Sequence, residues 1–261
     1  KERFYGIASH RCVQMTPVVD KCTQSCDFCW RVTPRDVGVQ WCQTRVTAKD
    51  VLPPEDLLDA VLMANLRSLG GYNPSTNPSV SPQKYEEARH PRHVAISLAG
   101  EPTLYPFLSE LIEVIAERDM TSFLVTNGTR PNVLSRIAEP SQLYVTLAAP
   151  DEQTYRHLCH PLERGSWSRL IESQNVLQSL SCRRVNRLTM VAKRNMHNPR
   201  GYADLILTGE PDFVEVKAYM FIGSSRNRLS SHNSPSHQDI RAFSERIAAL
   251  TGYYLVDEQV E

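Results

Sequence analysis

The chain has no charge of one sign to spare. Its 29 lysines and arginines balance 29 aspartates and glutamates. Global attraction to nucleic acid or an anionic membrane is therefore excluded, and only a local patch could serve. No apolar run approaches membrane-spanning length, and nothing at the start reads as a secretory signal. No internal repeat or coiled-coil heptad is visible. A disulfide framework is missing too: the cysteines number seven, an odd count, and three of them crowd into residues 22–29. A secreted scaffold would scatter an even set through a smaller domain. The cysteines imply a reducing compartment, the cytoplasm or an organelle with a reducing interior. A 261-residue chain opening on Lys1 rather than methionine is expected to be a fragment of something longer.

What is present begins with Cys22-Thr23-Gln24-Ser25-Cys26-Asp27-Phe28-Cys29. Three thiolates this close do not readily pair with one another, but they can converge on one inorganic centre. Tetrahedral zinc or a [4Fe–4S] cluster normally takes four protein ligands. Three suggest a cluster with one iron left open. The alternative is structural zinc completed by Cys12 or Cys42, although zinc sites usually pair two CxxC motifs and a second is absent.

Hydrophobic periodicity places this loop within an α/β fold. Residues 12–16 read as a strand stopped by Pro17, which puts the cysteine loop at that strand's C-terminal end, where ligand sites of parallel sheets collect. Residues 55–69 carry a helical apolar stripe behind Pro53 and Pro54. Residues 70–92, rich in Gly-Gly, Asn-Pro and Ser-Pro, read as a mobile surface insertion, partly disordered. Strands are then expected over 94–98, 122–126, 143–147, 186–192 and 213–217. Helices are expected over 106–118, from 132, and over 166–180, 202–207 and 237–250. Six strand–helix units are too few for a complete eight-fold barrel. Residues 1–261 are taken as one domain.

Three further groups stand at strand ends or within strands. Gly100-Glu101-Pro102 follows the 94–98 strand; glycine permits close backbone approach, and a carboxylate can accept from a cationic amine. Thr126-Asn127-Gly128 follows the next strand. Arg187 and Thr189 alternate with apolar neighbours and so share one face of their strand. Taken singly, each could be an ordinary turn or a half-exposed strand.

CxxxCxxC with Phe28 before its last cysteine, followed by Gly-Glu-Pro after the next strand, resembles the radical S-adenosylmethionine (SAM) superfamily. Eight ordered blocks carry a closer resemblance. They are Phe4-Tyr5-Gly6-Ile7, Ser9-His10-Arg11-Cys12, Phe28-Cys29-Trp30-Arg31, and Ser97 through Pro102. Next come Ser122 through Asn127, Gln142-Leu143-Tyr144-Val145, Arg187-Leu188-Thr189, and Pro211 through Lys217. Together they resemble the tRNA 4-demethylwyosine synthases of wybutosine biosynthesis over nearly the whole chain, broken mainly at 70–92.

The resemblance implies a partial (βα)6 TIM-like radical SAM barrel. It implies that Cys22, Cys26 and Cys29 hold a [4Fe–4S] cluster whose open iron binds SAM through its amine and carboxylate. Phe28 would lie near the adenine, Gly100 and Glu101 would receive the amino group, and Thr126 and Asn127 would line the SAM pocket. The implied reaction joins pyruvate to N1-methylguanosine beside the anticodon of phenylalanine tRNA. A deoxyadenosyl radical takes hydrogen from the guanine methyl, and the carbon radical adds to C2 of pyruvate, whose carboxyl carbon is lost. Cys12 matches the last of three cysteines holding a second [4Fe–4S] cluster, the other two falling before Lys1. Lys1 matches the lysine that forms a Schiff base with pyruvate, a role open to an amine of lowered pKa. A reductant, either a flavodoxin-like domain or a separate protein, is implied, and a monomer is expected.

Cys42, Cys159 and Cys182 match no ligand and read as small hydrophobes. His157, His160 and His197 read as surface or capping residues. Arg183, Arg184, Arg187, Lys193 and Arg194, with Arg226 and Arg228, are candidates for tRNA phosphate contact. Two other readings stay open: a radical SAM enzyme with a different substrate, and a zinc-bound RNA-binding module.

Overall fold

A computed structural model describes residues 2–19, 21–38 and 46–259. Its strands are β1 (Cys12–Met15), β2 (His93–Ile96), β3 (Thr121–Thr126), β4 (Gln142–Thr146), β5 (Arg183–Met190) and β6 (Phe213–Ala218). They form a single sheet in the order β1-β2-β3-β4-β5-β6, and every neighbouring pair is parallel. Helices fall before and between them: α1 (Glu2–Tyr5), α2 (Pro54–Ser68), α3 (Pro82–Arg89), α4 (Leu108–Glu117), α5 (Pro131–Leu134), α6 (Glu152–Cys159), α7 (Ser166–Leu177) and α8 (Pro199–Gly209). The last is α9 (His237–Thr251). Strand order following chain order, with helical crossovers, is the arrangement of a parallel barrel left open between first and last strands. This is the partial (βα)6 barrel that the resemblance implies; the six units alone point to a parallel sheet or an open barrel.

The two faces of the sheet have different chemistry because side chains alternate along each strand. Val13, Met15, Val94, Ile96, Leu124, Leu143, Val145, Leu188 and Met190 belong to one large core with the helices. Within it α4 supplies Leu108, Leu111, Ile112 and Ile115, all buried, the stripe expected for that helix. The opposite residues Ala95, Phe123, Tyr144 and Val185 form a smaller inner cluster, joined by Tyr5 and Ile7 from the N-terminal segment. Tyr5 meets Phe213 edge-on at 5.5 Å between ring centroids.

Segment 70–92 differs from its expectation. It carries α3, whose N-cap Ser81 accepts from the Lys84 backbone N–H with Pro82 in the first turn. Ala88 is buried, and Arg92 N–H donates to Arg11 O at 2.9 Å. The segment is thus tied to the chain ahead of β1. α6 was not anticipated either. On α2, Leu58 is buried as the stripe requires, but Leu66 is 45% exposed, so the stripe narrows toward the helix end.

Replacing fully buried Leu124 with alanine is expected to cost about 2–5 kcal/mol, the transfer term plus a cavity at the sheet–helix interface. Urea unfolding followed by circular dichroism measures it.

Candidate functional site

The cysteine loop leaves β1 and is fastened on three sides. On the first, the Gly100 turn beyond β2 presses against it. Gly100 has φ +68°, and a Cβ there would lie 2.0 Å from Val18 O and 2.8 Å from Lys21 O. No side chain fits that approach. Glu101 N–H donates to Lys21 O at 2.7 Å. Leu98, just ahead, adopts φ 92°, a strained conformation for a non-glycine residue, and its carbonyl accepts from Trp30 Nε1 at 3.2 Å.

The second side is the end of α6. Ser25 N–H donates to Cys159 O at 3.0 Å, Asp27 N–H to Leu158 O at 2.9 Å, and Leu162 N–H to Thr23 O at 2.9 Å. His160, the left-handed C-cap of α6, meets Asp27 at 3.0 Å. It is a capping residue, as read from the sequence.

The third side is Arg228. Its Nε donates to Asp27 O at 3.1 Å, and its terminal nitrogens reach Cys29 O and the Asp36 carboxylate. Both side chains of the Arg228–Asp36 pair are nearly buried, 7% and 8% exposed. Burial works against ionised Asp36, but the Thr33 backbone N–H and Arg228 outweigh it and hold the carboxyl below its ordinary range. Arg228 is therefore removed from the candidate phosphate contacts; its charge is spent on the loop.

Glu101 is the centre of the polar network. Fully buried, its Oε1 accepts from Thr103 N–H at 3.1 Å, Thr103 Oγ1 at 2.7 Å and Thr126 Oγ1 at 2.5 Å. Oε2 accepts from Asn127 N–H at 2.8 Å. Burial pushes this carboxyl upward, and the Thr103, Thr126 and Asn127 hydrogen bonds pull against it. Asn127 Nδ2 in turn donates to Thr23 Oγ1 at 2.9 Å and reaches Cys22 Sγ at 3.7 Å. Cys22, Gly100, Glu101, Thr126 and Asn127 are thus brought together at the C-terminal ends of β1, β2 and β3. Phe28 is half-buried and packs between the main core and the cluster of Leu158, Val191, Tyr219 and Leu229.

Cys22, Cys26 and Cys29 are free thiols. Burial raises the pKa of Cys22, and Glu101 and Cys26 add to the effect. Burial followed by Cys26 does the same at Cys29. Cys26 is raised by its contact with the Cys159 thiol and by burial. The three are half-buried, and thiolates this close repel one another, a repulsion that a cationic centre would relieve. Among the described residues no three His, Cys, Asp or Glu side chains are placed to share one metal ion. An iron–sulfur cubane takes one thiolate per iron and needs no such convergence. Ser25 Oγ, beside Cys26, is buried without a partner among the described residues, leaving a donor on the loop. The donor set fits a three-cysteine cluster.

Cys12 is elsewhere, half-buried against the inner cluster at the start of β1. Cys159 is buried and Cys182 half-buried, in keeping with packing roles. Lys1 and Cys42 lie outside the described residues.

The basic cluster expected around β5 does not form as one patch. Arg183 and Arg184 sit at its start, Lys193 and Arg194 beyond its end, roughly 23 Å apart along an eight-residue strand. Arg184 pairs with Asp212 at 3.0 Å, and Arg187 with Glu215 at 2.8 Å. Asn127 as a fastening for the loop, and Arg228 as its clamp, were not read from the sequence. Nothing in linear spacing marks a contact 199 residues away.

Comparison with known proteins agrees with this geometry. The radical SAM superfamily model matches residues 16–206, and the model for wyosine base formation matches residues 208–261. An S-adenosyl-L-methionine-dependent tRNA 4-demethylwyosine synthase of Pyrococcus abyssi is 45% identical, over 99% of this chain and 75% of its own length. The synthase of Schizosaccharomyces pombe is 35% identical over 98% of this chain but only 36% of its own length. A structure of TYW1 with a lysine–pyruvate adduct bound superposes with TM-score 0.86 at 33% identity. It covers 99% of this chain and 80% of that one.

Two variants test the fastenings. Gly100→Ala should cost at least about 2 kcal/mol and lower iron uptake on reconstitution. Arg228→Met should cost roughly 3–5 kcal/mol by stranding Asp36, whereas Arg226→Ala should leave the melting temperature within about a degree. Thermal unfolding with parallel iron analysis reads both.

Proposed function

Because the chain belongs to the radical SAM family of tRNA 4-demethylwyosine synthases, we propose that it condenses pyruvate with N1-methylguanosine. The acceptor stands next to the anticodon of phenylalanine tRNA, and the product is the tricyclic base of the wybutosine pathway. The observation that carries the pyruvate half is the lysine–pyruvate adduct in a protein that superposes over 99% of this chain. The tRNA half rests on the relatives' named product.

Cys22, Cys26 and Cys29 hold the cluster in this reading. With SAM bound, that cluster supplies the radical that abstracts hydrogen. The chain's own work is placement. Among the described residues Glu101 Oε1 is saturated by three donors, whereas Oε2 accepts from one. A carboxylate oxygen has two lone-pair sites, so Oε2 retains one for the amino group of SAM. Gly100 keeps the backbone close enough to form that wall. Thr126 and Asn127 fix the carboxylate, and Phe28 supplies an apolar surface for adenine.

Lys1 is the residue proposed to carry pyruvate, and Cys12 the one ligand of a second [4Fe–4S] cluster on this chain. A flavodoxin-like reductant supplies the electron. The enzyme acts as a monomer in a reducing compartment, the cytoplasm or an organelle. Among the described residues no helix is long and apolar enough to cross a membrane.

After anaerobic reconstitution, product should appear only with SAM, a reductant, pyruvate and N1-methylated tRNA together, and carbon-13 pyruvate should label it. Cys26→Ala should lose the cluster absorbance and bring turnover to background. Mass spectrometry of the digested tRNA decides the matter; SAM cleavage with an unchanged methylguanosine would point to a different substrate.

A further inference from the structure

The inner face of the barrel holds a cation whose charge the protein satisfies only in part. Arg187 Nε donates to Glu215 Oε2 at 2.8 Å, and the guanidinium lies 4.2 Å from the centroid of the Tyr144 ring. Glu215 is itself engaged on its other oxygen, where Tyr5 Oη donates at 2.6 Å. Among the described residues the two terminal nitrogens of Arg187 have no hydrogen-bond partner, though the side chain is only 26% exposed. Tyr144 is fully buried, its hydroxyl directed at that of Tyr5.

A second cation shares this face. Val214 and Val216 pack into the helix-side core, so Glu215 and Lys217 project to the opposite side. Lys217 pairs in register with Thr189, is exposed, and has no partner among the described residues. Arg187 and Lys217 thus set two cations on this face against one carboxylate already in use. The half-buried terminal donors of Arg187 are costly to leave in that condition. A guanidinium whose Nε is occupied still offers its two terminal nitrogens, and its planar fork suits carboxylate oxygens.

Depth selects the ligand. Arg187 is three residues before Met190, the end of β5, and so roughly 10 Å below the rim where the cysteine loop lies. A small acid can descend that far, whereas a polynucleotide backbone cannot. We propose that Arg187, seated on Tyr144 and held by Glu215, forms with Lys217 the carboxylate-binding subsite for a small 2-oxo acid. The inference rests on the reading that the enzyme consumes pyruvate. It adds the residues that recognise the acid's charge, as distinct from the lysine that would bind its carbonyl.

The carboxylate of SAM has the same chemistry, and the test separates the two. Wild type, Arg187→Gln, Arg187→Lys and Lys217→Gln are compared as reconstituted holoenzymes, with pyruvate and with its neutral amide, pyruvamide. Arg187→Gln should raise the KM for pyruvate about 10–100-fold, the loss of a charge-assisted contact, with the KM for SAM within about twofold of wild type. Its preference for pyruvate over pyruvamide should largely vanish. Arg187→Lys, which keeps the charge beside Glu215, should recover part of that preference, and Lys217→Gln should lose a smaller part. Calorimetric titration of pyruvate into each protein should give the same order without turnover.

An unchanged pyruvate-to-pyruvamide preference in all three variants overturns the subsite, as does a rise in KM for SAM alone. Should Arg187→Gln fail to fold, Arg187→Lys and Lys217→Gln decide by the same preference. Wild-type enzyme that cleaves SAM yet neither binds nor consumes pyruvate overturns the proposed function itself, and the subsite with it.

Discussion

The contact on which the site depends is the near-touch between the Gly100 turn and the chain entering the cysteine loop. With 2.0 Å separating a notional Cβ at Gly100 from Val18 O, the two backbones can approach only because that Cβ does not exist. The approach lets Glu101 N–H reach Lys21 O and carries the Glu101 carboxylate under the loop. A buried carboxylate is expensive unless donors surround it. Thr103, Thr126 and Asn127 surround this one, and through Asn127 the network returns to Thr23 and Cys22. The ends of three strands are therefore fixed by one carboxylate, and the thiols inherit their placement from it.

The same logic divides the barrel interior into two zones. Near the rim, buried polar atoms are mostly paired and rigid, as a site holding a cluster and a cofactor requires. Deeper, between β4, β5 and β6, Arg187 keeps terminal donors unused among the described residues, beside a salt bridge that orients it. Glu215 anchors Arg187 without exhausting it, and Tyr5 anchors Glu215. Rim and interior are thus prepared differently: one binds what generates the reactive species, and the other offers charge to what it meets.

Much of this was legible in the sequence, for identifiable reasons. β2, β3 and β4 were readable as short, mainly apolar runs bounded by turn residues, and β5 and β6 by polar and apolar residues in alternation. Gly100 and Glu101 were readable only in company with the cysteine loop, through the family resemblance; alone they are an ordinary strand-ending turn. α6 escaped because only Tyr155, Leu158 and Cys159 are buried along its length, too few for a clear stripe. Its one signal was Asp151, which caps Thr154 N–H. α3 was masked by the Asn-Pro and Ser-Pro steps around it. Ser81-Pro82 is in fact a helix start, with serine at the N-cap and proline in the first turn. Arg228 was misread because a basic residue in a loop is usually solvated, and its partners are far away in sequence.

The position of Arg228 also bears on how the two matched regions depend on each other. The wyosine-specific region, 208–261, contains β6 and α9, and it supplies Arg228 to the cysteine loop, Glu215 and Lys217 to the interior, and Gly223 against Trp30. A Cβ on Gly223 would fall 2.3 Å from Trp30 O, so this contact is as intolerant as that at Gly100. The radical SAM region, 16–206, therefore does not hold its loop alone. Its thiols are fixed from one side by the general Gly-Glu-Pro turn and from the other by residues of the family-specific segment. Substitutions in that segment act on loop placement and on the interior charge together, because the same short stretch of chain reaches both.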